Sequence, residues 1–307
     1  MKVSFIATVL NEETTIDRFI SSLLSQSRKC DEIIIIDGGS TDNTYDKLKK
    51  YKRDIKVYKI VGNRSIGRNA AIKNARYSLI AISDSGCILD KNWCENIIRP
   101  FLDRTISVVS GYYKAKTTNV FQKALVPYVF VMPDKIRQSD FLPSSRSMAI
   151  RKSVWQKLGG FPEQYSHNED YVFAKTLKKK SEKIVFQKNA ISYWIPRKNI
   201  HEAFIMFFRF AYGDIESGIY RPKVLILIMR MYIGLILFVL GVFVNSLYLQ
   251  ILFILVVLYF LWAIFKNYRY VRSFLAFLYL PLLQITSDIA IFLGSHAGYA
   301  KSFFKKL

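Results

Sequence analysis

Over the first two hundred positions, short apolar runs alternate with stretches whose apolar residues recur at helical spacing. Val3 to Leu10 is a run of β-formers, and Thr15 to Gln26 then sets Ile16, Phe19, Ile20, Leu23 and Leu24 on one helical face. The order repeats downstream. Glu32 to Ile36 reads as an almost pure isoleucine strand, Thr41 to Tyr51 as a helix, Ile55 to Ile60 as an alternating strand, Gly67 to Ala75 as a helix and Ser78 to Ile82 as a strand. Strands that lack a polar face and alternate with helices are buried on both sides, which predicts a parallel α/β sheet. A further helix is expected over Tyr171 to Lys180.

Beyond Asn199 the pattern changes. Asn199 to Gly213 carries Phe204, Ile205, Phe207, Phe208 and Phe210 with few charges, which suits an amphipathic helix in a lipid headgroup region. Val224 to Val244 and Leu247 to Phe265 each approach the roughly 20 residues that cross a bilayer, with Arg230 inside the first. Phe274 to Leu293 is a third apolar stretch, interrupted by Pro281, Gln284 and Asp288: either it crosses, or it forms a broken, re-entrant or interfacial segment that keeps the basic tail inside. The chain thus divides into a domain over 1–195, an interfacial segment over 196–223 and a region over 224–307 with about three membrane-embedded segments and a basic tail.

Charge sets the orientation. The Asn245-Ser246 turn has no Lys or Arg, whereas Lys266, Arg269 and Arg272 follow the second span, so the basic loop and the N-terminal domain are expected on the cytoplasmic side. Keeping Lys301, Lys305 and Lys306 on that side agrees with a third segment that does not cross. The expected protein is multi-pass and sits in the cell membrane. Val3 to Leu10 is too short for a signal peptide and runs straight into Asn11-Glu12-Glu13. The net charge of +22 suits nucleic acid or an anionic membrane face, and the long apolar segments together with the lack of a nucleic-acid motif favour the lipid bilayer over nucleic acid as partner.

Chemistry concentrates where strands end. Asp37 and Asp84 directly follow apolar strands, the place where open α/β sheets bind ligands, although either residue alone also starts turns or caps helices. Glu169-Asp170 opens a helix, where carboxylates also complement the macrodipole. Cys30, Cys87 and Cys94 lack zinc spacing and read as reduced, partly buried thiols, and His167, His201 and His296 are too scattered for a metal site. Ser144-Ser145-Arg146-Ser147 lacks the turn of a serine nucleophile and reads as lining a site.

The stretches Val3 to Glu13 and Glu32-Ile33-Ile34-Ile35-Ile36-Asp37-Gly38-Gly39-Ser40-Thr41-Asp42, followed by Arg68-Asn69, Asp84, Gly159-Gly160-Phe161 and Glu169-Asp170 in that order, resemble family 2 glycosyltransferases of the GT-A fold. The resemblance covers about the first two hundred residues. It implies an α/β GT-A nucleotide-sugar-binding domain, a Rossmann-like mixed sheet flanked by helices, ahead of the interfacial helix and the transmembrane helices. It implies a hexosyltransferase that inverts the anomeric centre, moving one hexose, mannose or glucose, from a nucleotide-diphosphate sugar donor to a lipid-linked acceptor on polyprenyl or dolichyl phosphate. Asp170 is then the catalytic base with Glu169 as its neighbour, and Arg209 in Phe207-Phe208-Arg209-Phe210 a contact to the diphosphate. Thr8, Leu10, Glu12, Asp37, Arg68 and Asp84 bind the nucleotide sugar, with Asp84 also holding Mg²⁺ or Mn²⁺. Two departures stand out. Thr8 and Leu10 replace the family's usual Pro and Tyr, and Gly86 takes the place of the second carboxylate of its Asp-x-Asp motif. A processive polysaccharide synthase and a catalytically silent membrane adaptor are the alternatives; the loss of Gln and Trp around Arg209 argues against the first, and intact Asp37, Asp84 and Asp170 against the second.

Overall fold

The computed structural model describes residues 1–304, and most of the apolar runs become strands or helices close to the expected bounds. In order, β1 (Val3–Val9), α1 (Ile16–Leu24), β2 (Glu32–Asp37), α2 (Thr44–Lys49), β3 (Lys56–Lys59), α3 (Arg64–Asn74) and β4 (Leu79–Ile82) form the alternating opening. Then follow β5 (Cys87–Leu89), α4 (Trp93–Ile98), β6 (Val108–Ala115), α5 (Val120–Val129), β7 (Met148–Arg151), α6 (Lys152–Lys157), α7 (Glu169–Lys179) and β8 (Ile184–Trp194). The chain closes on α8 (Ile200–Glu216), α9 (Pro222–Phe243), α10 (Leu247–Val271) and α11 (Ala276–Phe304). Two units result: Met1–Lys116 with Asp134–Ile195, and Thr117–Pro133 with the chain from Pro196 onward.

The first unit is built on one eight-stranded sheet of order β3-β2-β1-β4-β7-β6-β8-β5. Strands β3, β2, β1 and β4 run parallel, as their apolar runs predict. Beyond β4 the sheet is mixed, as the family resemblance implies: β7 pairs antiparallel with both β4 and β6, and β5 pairs antiparallel with β8. A short strand such as Met148–Arg151 carries no orientation in its composition; its direction is set by the path the chain takes to reach it.

Alternation along β1 divides the core in two. Phe5, Ala7 and Val9 face a cluster with Phe19, Ile20 and Leu23 of α1 and Trp93 of α4, whereas Ile6 faces Ile34, Ile36, Ala71, Ile72, Phe161 and Phe173. Each large side chain in these clusters contributes about 1.5–3 kcal/mol of burial. That filling brings α3 against β1, and Gly67 allows it: a Cβ there would lie 2.5 Å from Thr8 Cγ2.

In the second unit, α9, α10 and α11 are long and apolar enough to cross a membrane. The third stretch is a continuous helix: α11 runs through Pro281, Gln284 and Asp288 without a break. Asp288 finds partners within the helix bundle: it accepts from Arg230 of α9 (2.8 Å), Tyr259 of α10 (2.6 Å) and the Gln284 amide (3.1 Å). The Tyr128 hydroxyl of α5 donates to the Leu280 carbonyl beside the proline (2.8 Å). Lys305 and Lys306 lie outside the described residues. Helix α8 packs on α11 through Gly294, where a Cβ would be 2.4 Å from the Phe208 carbonyl oxygen, and Gly298, where one would be 2.8 Å from Ile215 Cβ.

Gly67→Ala is expected to destabilise the protein by about 1–3 kcal/mol through overpacking. Adding Thr8→Ala, which removes the clashing methyl, should return part of that loss. Thermal unfolding of both variants in detergent checks this, and an unchanged transition in Gly67→Ala would show that α3 has room to move.

Candidate active site

The site begins with the turn after β2. Asp37 is wholly buried, and its Oδ1 accepts from the backbone N–H groups of Gly39 (2.9 Å) and Ser40 (2.8 Å), closing an Asx turn. Its Oδ2 is buried with no hydrogen-bond partner among the described residues, and a buried acceptor left unmatched costs about 1–3 kcal/mol. Beside it, at the end of β1, Thr8 is half-buried and Leu10 is exposed, with Leu10 Cδ1 3.9 Å from where a Cβ on Gly38 would stand. Glu12 is committed locally: its carboxylate accepts from the Thr15 hydroxyl, and its N–H donates to Thr44 Oγ1 (2.7 Å).

At the centre lies Arg68, a charged side chain on the buried face of α3 with 2% exposure. Its Nη1 donates to Glu169 Oε1 (2.6 Å), and its Nη2 to Asp84 Oδ1 (2.9 Å) and Ser145 Oγ (2.9 Å). Burial opposes the guanidinium charge, but Glu169, Asp84 and Asp170 outweigh it and hold the pKa above the usual arginine range. Burial likewise works to raise the Asp84 pKa, and Arg68, Arg146 and Arg64 outweigh it and hold it below its ordinary value.

The next residue, Asn69, pins the Gly159-Gly160-Phe161 turn. Its Oδ1 accepts from the Phe161 N–H (2.8 Å) and Trp155 Nε1 (3.1 Å), while its Nδ2 donates to the Phe161 carbonyl (2.8 Å) and Glu163 Oε1 (2.8 Å). Gly160 sits at φ +86°, where a Cβ would be 2.9 Å from Asn69 Oδ1, so both conformation and space require glycine. That turn delivers the chain to Asn168, itself left-handed at φ 61°, and then to Glu169 and Asp170 at the start of α7.

The two carboxylates part company there. Glu169 is buried and paired with Arg68, whereas Asp170 is half-buried. Asp170 Oδ2 accepts from Ser144 Oγ (3.1 Å) and from the Ser145 N–H (3.2 Å), and lies 3.2 Å from Ser145 Oγ. Ser145 Oγ is also 3.3 Å from Asp84 Oδ2, so one hydroxyl proton serves either carboxylate. Arg146 stacks over Tyr113 (5.3 Å) and Trp194 (5.9 Å), and burial, which disfavours its charge, is outweighed by Tyr113, Asp84 and Asp170.

The structure therefore brings Arg68, Asp84, Glu169 and Asp170 into one cluster, with Thr8, Leu10, Glu12 and Asp37 around the ends of β1 and β2 in the same unit. Arg209 stands on the exposed face of α8 in the second unit. The direct hydrogen bonds of Ser144 and Ser145 to Asp170 and the stacked Arg146 go beyond the sequence reading of that segment. Their only signal was the serine-rich run before a short apolar stretch, which becomes β7 once Met148 pairs with Ile82 of β4. Among the described residues no three His, Cys, Asp or Glu side chains gather as a metal cage. Asp84 offers one carboxylate, Gly86 faces open space, and Asp90 is engaged elsewhere, accepting from the Asn92 N–H (3.1 Å).

The sequence model of the family described as Glycosyl transferase family 2 matches residues 4–159. The putative glycosyltransferase EpsH of Bacillus subtilis (strain 168) is 33% identical over 114 residues, which is 36% of this chain and 33% of that protein. The UDP-Glc:alpha-D-GlcNAc-diphosphoundecaprenol beta-1,3-glucosyltransferase WfgD of Escherichia coli is 30% identical over 174 residues, 55% of this chain and 66% of that protein. The match thus spans a third of the first relative's length and just under two thirds of the second's. The mannosyltransferase PcManGT from Pyrobaculum calidifontis, solved in complex with GDP-Man and Mn2+, superposes with a TM-score of 0.55 at 16% identity, over 70% of this chain and 62% of that one. At that identity the likeness shows the fold: a GT-A curled mixed sheet flanked by helices.

Arg68→Met is expected to cost about 3–5 kcal/mol at pH 7, because it strands buried carboxylates without their cation. In the native protein the lowered Asp84 pKa makes its stabilising charge fully present above the ordinary value of 3.8 and lost as pH falls through the lower folded value. In the variant Asp84 loses the cation that lowers its pKa and takes up its proton at higher pH. The stability gap between the two should therefore narrow as pH falls from 7 toward 4, and thermal unfolding across that range measures it; a gap independent of pH would contradict the charge argument.

Proposed function

The chain belongs to glycosyl transferase family 2, and on that premise we propose that it moves a single hexose, mannose or glucose, from a nucleoside-diphosphate sugar to a lipid-linked acceptor, with inversion. The observation that carries this reading is the division between the two carboxylates at the start of α7. Glu169 is spent on Arg68, while Asp170 is half-buried and held by Ser144 and Ser145. A base has to be reachable and oriented, and Asp170 meets both needs.

In the proposed reaction the acceptor hydroxyl loses its proton to Asp170 as its oxygen attacks the anomeric carbon. The bond from that carbon to the diphosphate breaks on the opposite face, and its electron pair leaves with the nucleoside diphosphate. Asp37 Oδ2, buried and unmatched, supports a nucleoside base as donor-side partner, since a ring N–H supplies what that oxygen lacks. Leu10 and Thr8, beside that turn, are the proposed wall of the base pocket, with Glu12 shaping the turn behind it. Arg68 orders Asp84 and Glu169 more than it binds ligand.

One carboxylate plus substrate phosphate oxygens is a common way to hold Mg²⁺, so Asp84 fits a divalent ion despite Gly86. When bound, Mg²⁺ or Mn²⁺ neutralises charge on the departing diphosphate. The lipid-linked acceptor is supported by three helices long enough to cross a bilayer and by a relative whose name specifies a diphosphoundecaprenol acceptor. The proposed setting is the membrane, with the first unit on its cytoplasmic face.

Asp170→Asn is expected to slow single-turnover transfer by about 10²- to 10⁴-fold while donor affinity stays near that of the unaltered protein. Glu169→Gln should instead lower the thermal midpoint, with a smaller loss of transfer. The assay uses a panel of nucleotide sugars with polyprenyl-phosphate acceptors and scores which donor is consumed. An active Asp170→Asn enzyme, or full turnover of every donor without any lipid acceptor, would defeat the reading.

A further inference from the structure

The first unit holds a second concave feature, at the other ends of the strands that carry the site. Ser78 leads into β4, whose far end is followed by Asp84, and Arg151 closes β7, whose start follows Ser144 and Ser145. Between these ends lies a cleft of 330 Å³ lined by Arg76, Tyr77, Ser78, Arg151 and Lys152 among others, with no Asp or Glu in its lining.

Among the described residues no carboxylate pairs with the side chain of Arg76, Arg151 or Lys152. Arg151 donates from Nε to the Ile106 carbonyl (2.8 Å) and from Nη2 to the Phe101 and Asp103 carbonyls (3.3 Å each), with its guanidinium over the Phe101 ring. Lys152 Nζ donates to the Ala75 (2.7 Å) and Lys73 (3.1 Å) carbonyls. Arg76 lies over the Tyr77 ring (5.7 Å), with Lys2 over the same ring at 5.6 Å. Carbonyl dipoles and rings fix these groups but leave their net charge intact, and nearby carboxylates pair with other cations: Asp103 with Lys183, Glu182 with Lys157 and Glu32 with Lys56, Glu32 also accepting from the Arg76 backbone N–H (2.8 Å). Three like charges around one cleft repel each other unless an anion joins them.

We propose that this cleft binds a phosphate or diphosphate group, as a second anion site separate from the donor site. A guanidinium fork and an ammonium match phosphate oxygens geometrically and by charge, and the volume lies at the small end of ligand pockets, roughly 300–1,000 Å³. The assignment does not depend on the transfer reaction proposed above. The same headgroup chemistry occurs on a soluble diphosphate and on an anionic lipid, and the test separates the two.

Full-length protein in detergent is treated with phenylglyoxal, and modification of Arg76 is followed by peptide mass spectrometry, with the exposed Arg53 as internal control. Inorganic pyrophosphate at about ten times its half-protecting concentration is expected to slow modification of Arg76 about tenfold by mass action, while leaving Arg53 unchanged. Lys152→Gln should remove most of that protection without changing donor turnover. A parallel arm reconstitutes the protein into phosphatidylglycerol vesicles and into phosphatidylcholine vesicles. Protection by pyrophosphate supports a soluble ligand, and protection by phosphatidylglycerol alone supports a lipid headgroup. Equal rates at Arg76 under all conditions, equal slowing at Arg53, or protection that survives in Lys152→Gln would overturn the proposal.

Discussion

A guanidinium with 2% exposure is stable only if charge and hydrogen bonds replace the water it lost, and Arg68 obtains both from three separate parts of the chain. Glu169 comes from the start of α7, Asp84 from the turn after β4 and Ser145 from the approach to β7. None of the three has a local reason to be where it is. Their meeting at one side chain on α3 turns a sheet with helices into a site, and the depressed Asp84 pKa is the electrostatic trace of that meeting.

The same arrangement sorts adjacent carboxylates into different roles. Residues 169 and 170 are next to each other at a helix start, where consecutive side chains diverge by about 100°. Glu169 turns into the protein and meets Arg68, and Asp170 turns toward Ser144 and Ser145. A single peptide step therefore separates a buried counter-ion from a reachable carboxylate. The Asn69 clamp on the Gly159-Gly160-Phe161 turn sets the path into that step, so a backbone feature about ten residues upstream governs which carboxylate faces which way.

Much of the first half of the fold was legible because its signals are local. The apolar runs of β1, β2 and β4 and the helical face of α1 depend only on residues a few places apart, and their bounds agree within a few positions. Asp37 and Asp84 were found by the same logic, as polar residues directly after such runs. The antiparallel half of the sheet was not legible: β7 is four residues long and means nothing until it pairs with β4. What Ser145 bonds to was hidden for that reason, since its partners Arg68, Asp84 and Asp170 are 77, 61 and 25 positions away. Whether α11 is broken was hidden for a related cause. Pro281, Gln284 and Asp288 look like breaks along the chain, yet Arg230 and Tyr259 from other helices match the Asp288 carboxylate within a continuous helix. Helix α5 belongs with the C-terminal helices although it lies in the sequence between strands of the first unit, an assignment that periodicity does not encode.

The contact between α8 and α11 has a mechanical meaning. With Gly294 against the Phe208 backbone and Gly298 against Ile215, the two helices touch main chain to main chain, which leaves no gap for an acyl tail between them. Helix α8 is then carried by α11 as one stiff body, and Arg209, the residue after Phe208, inherits its height from a helix long enough to span a bilayer. Were α11 to span a bilayer, a change in bilayer thickness that tilts it would move that guanidinium with it.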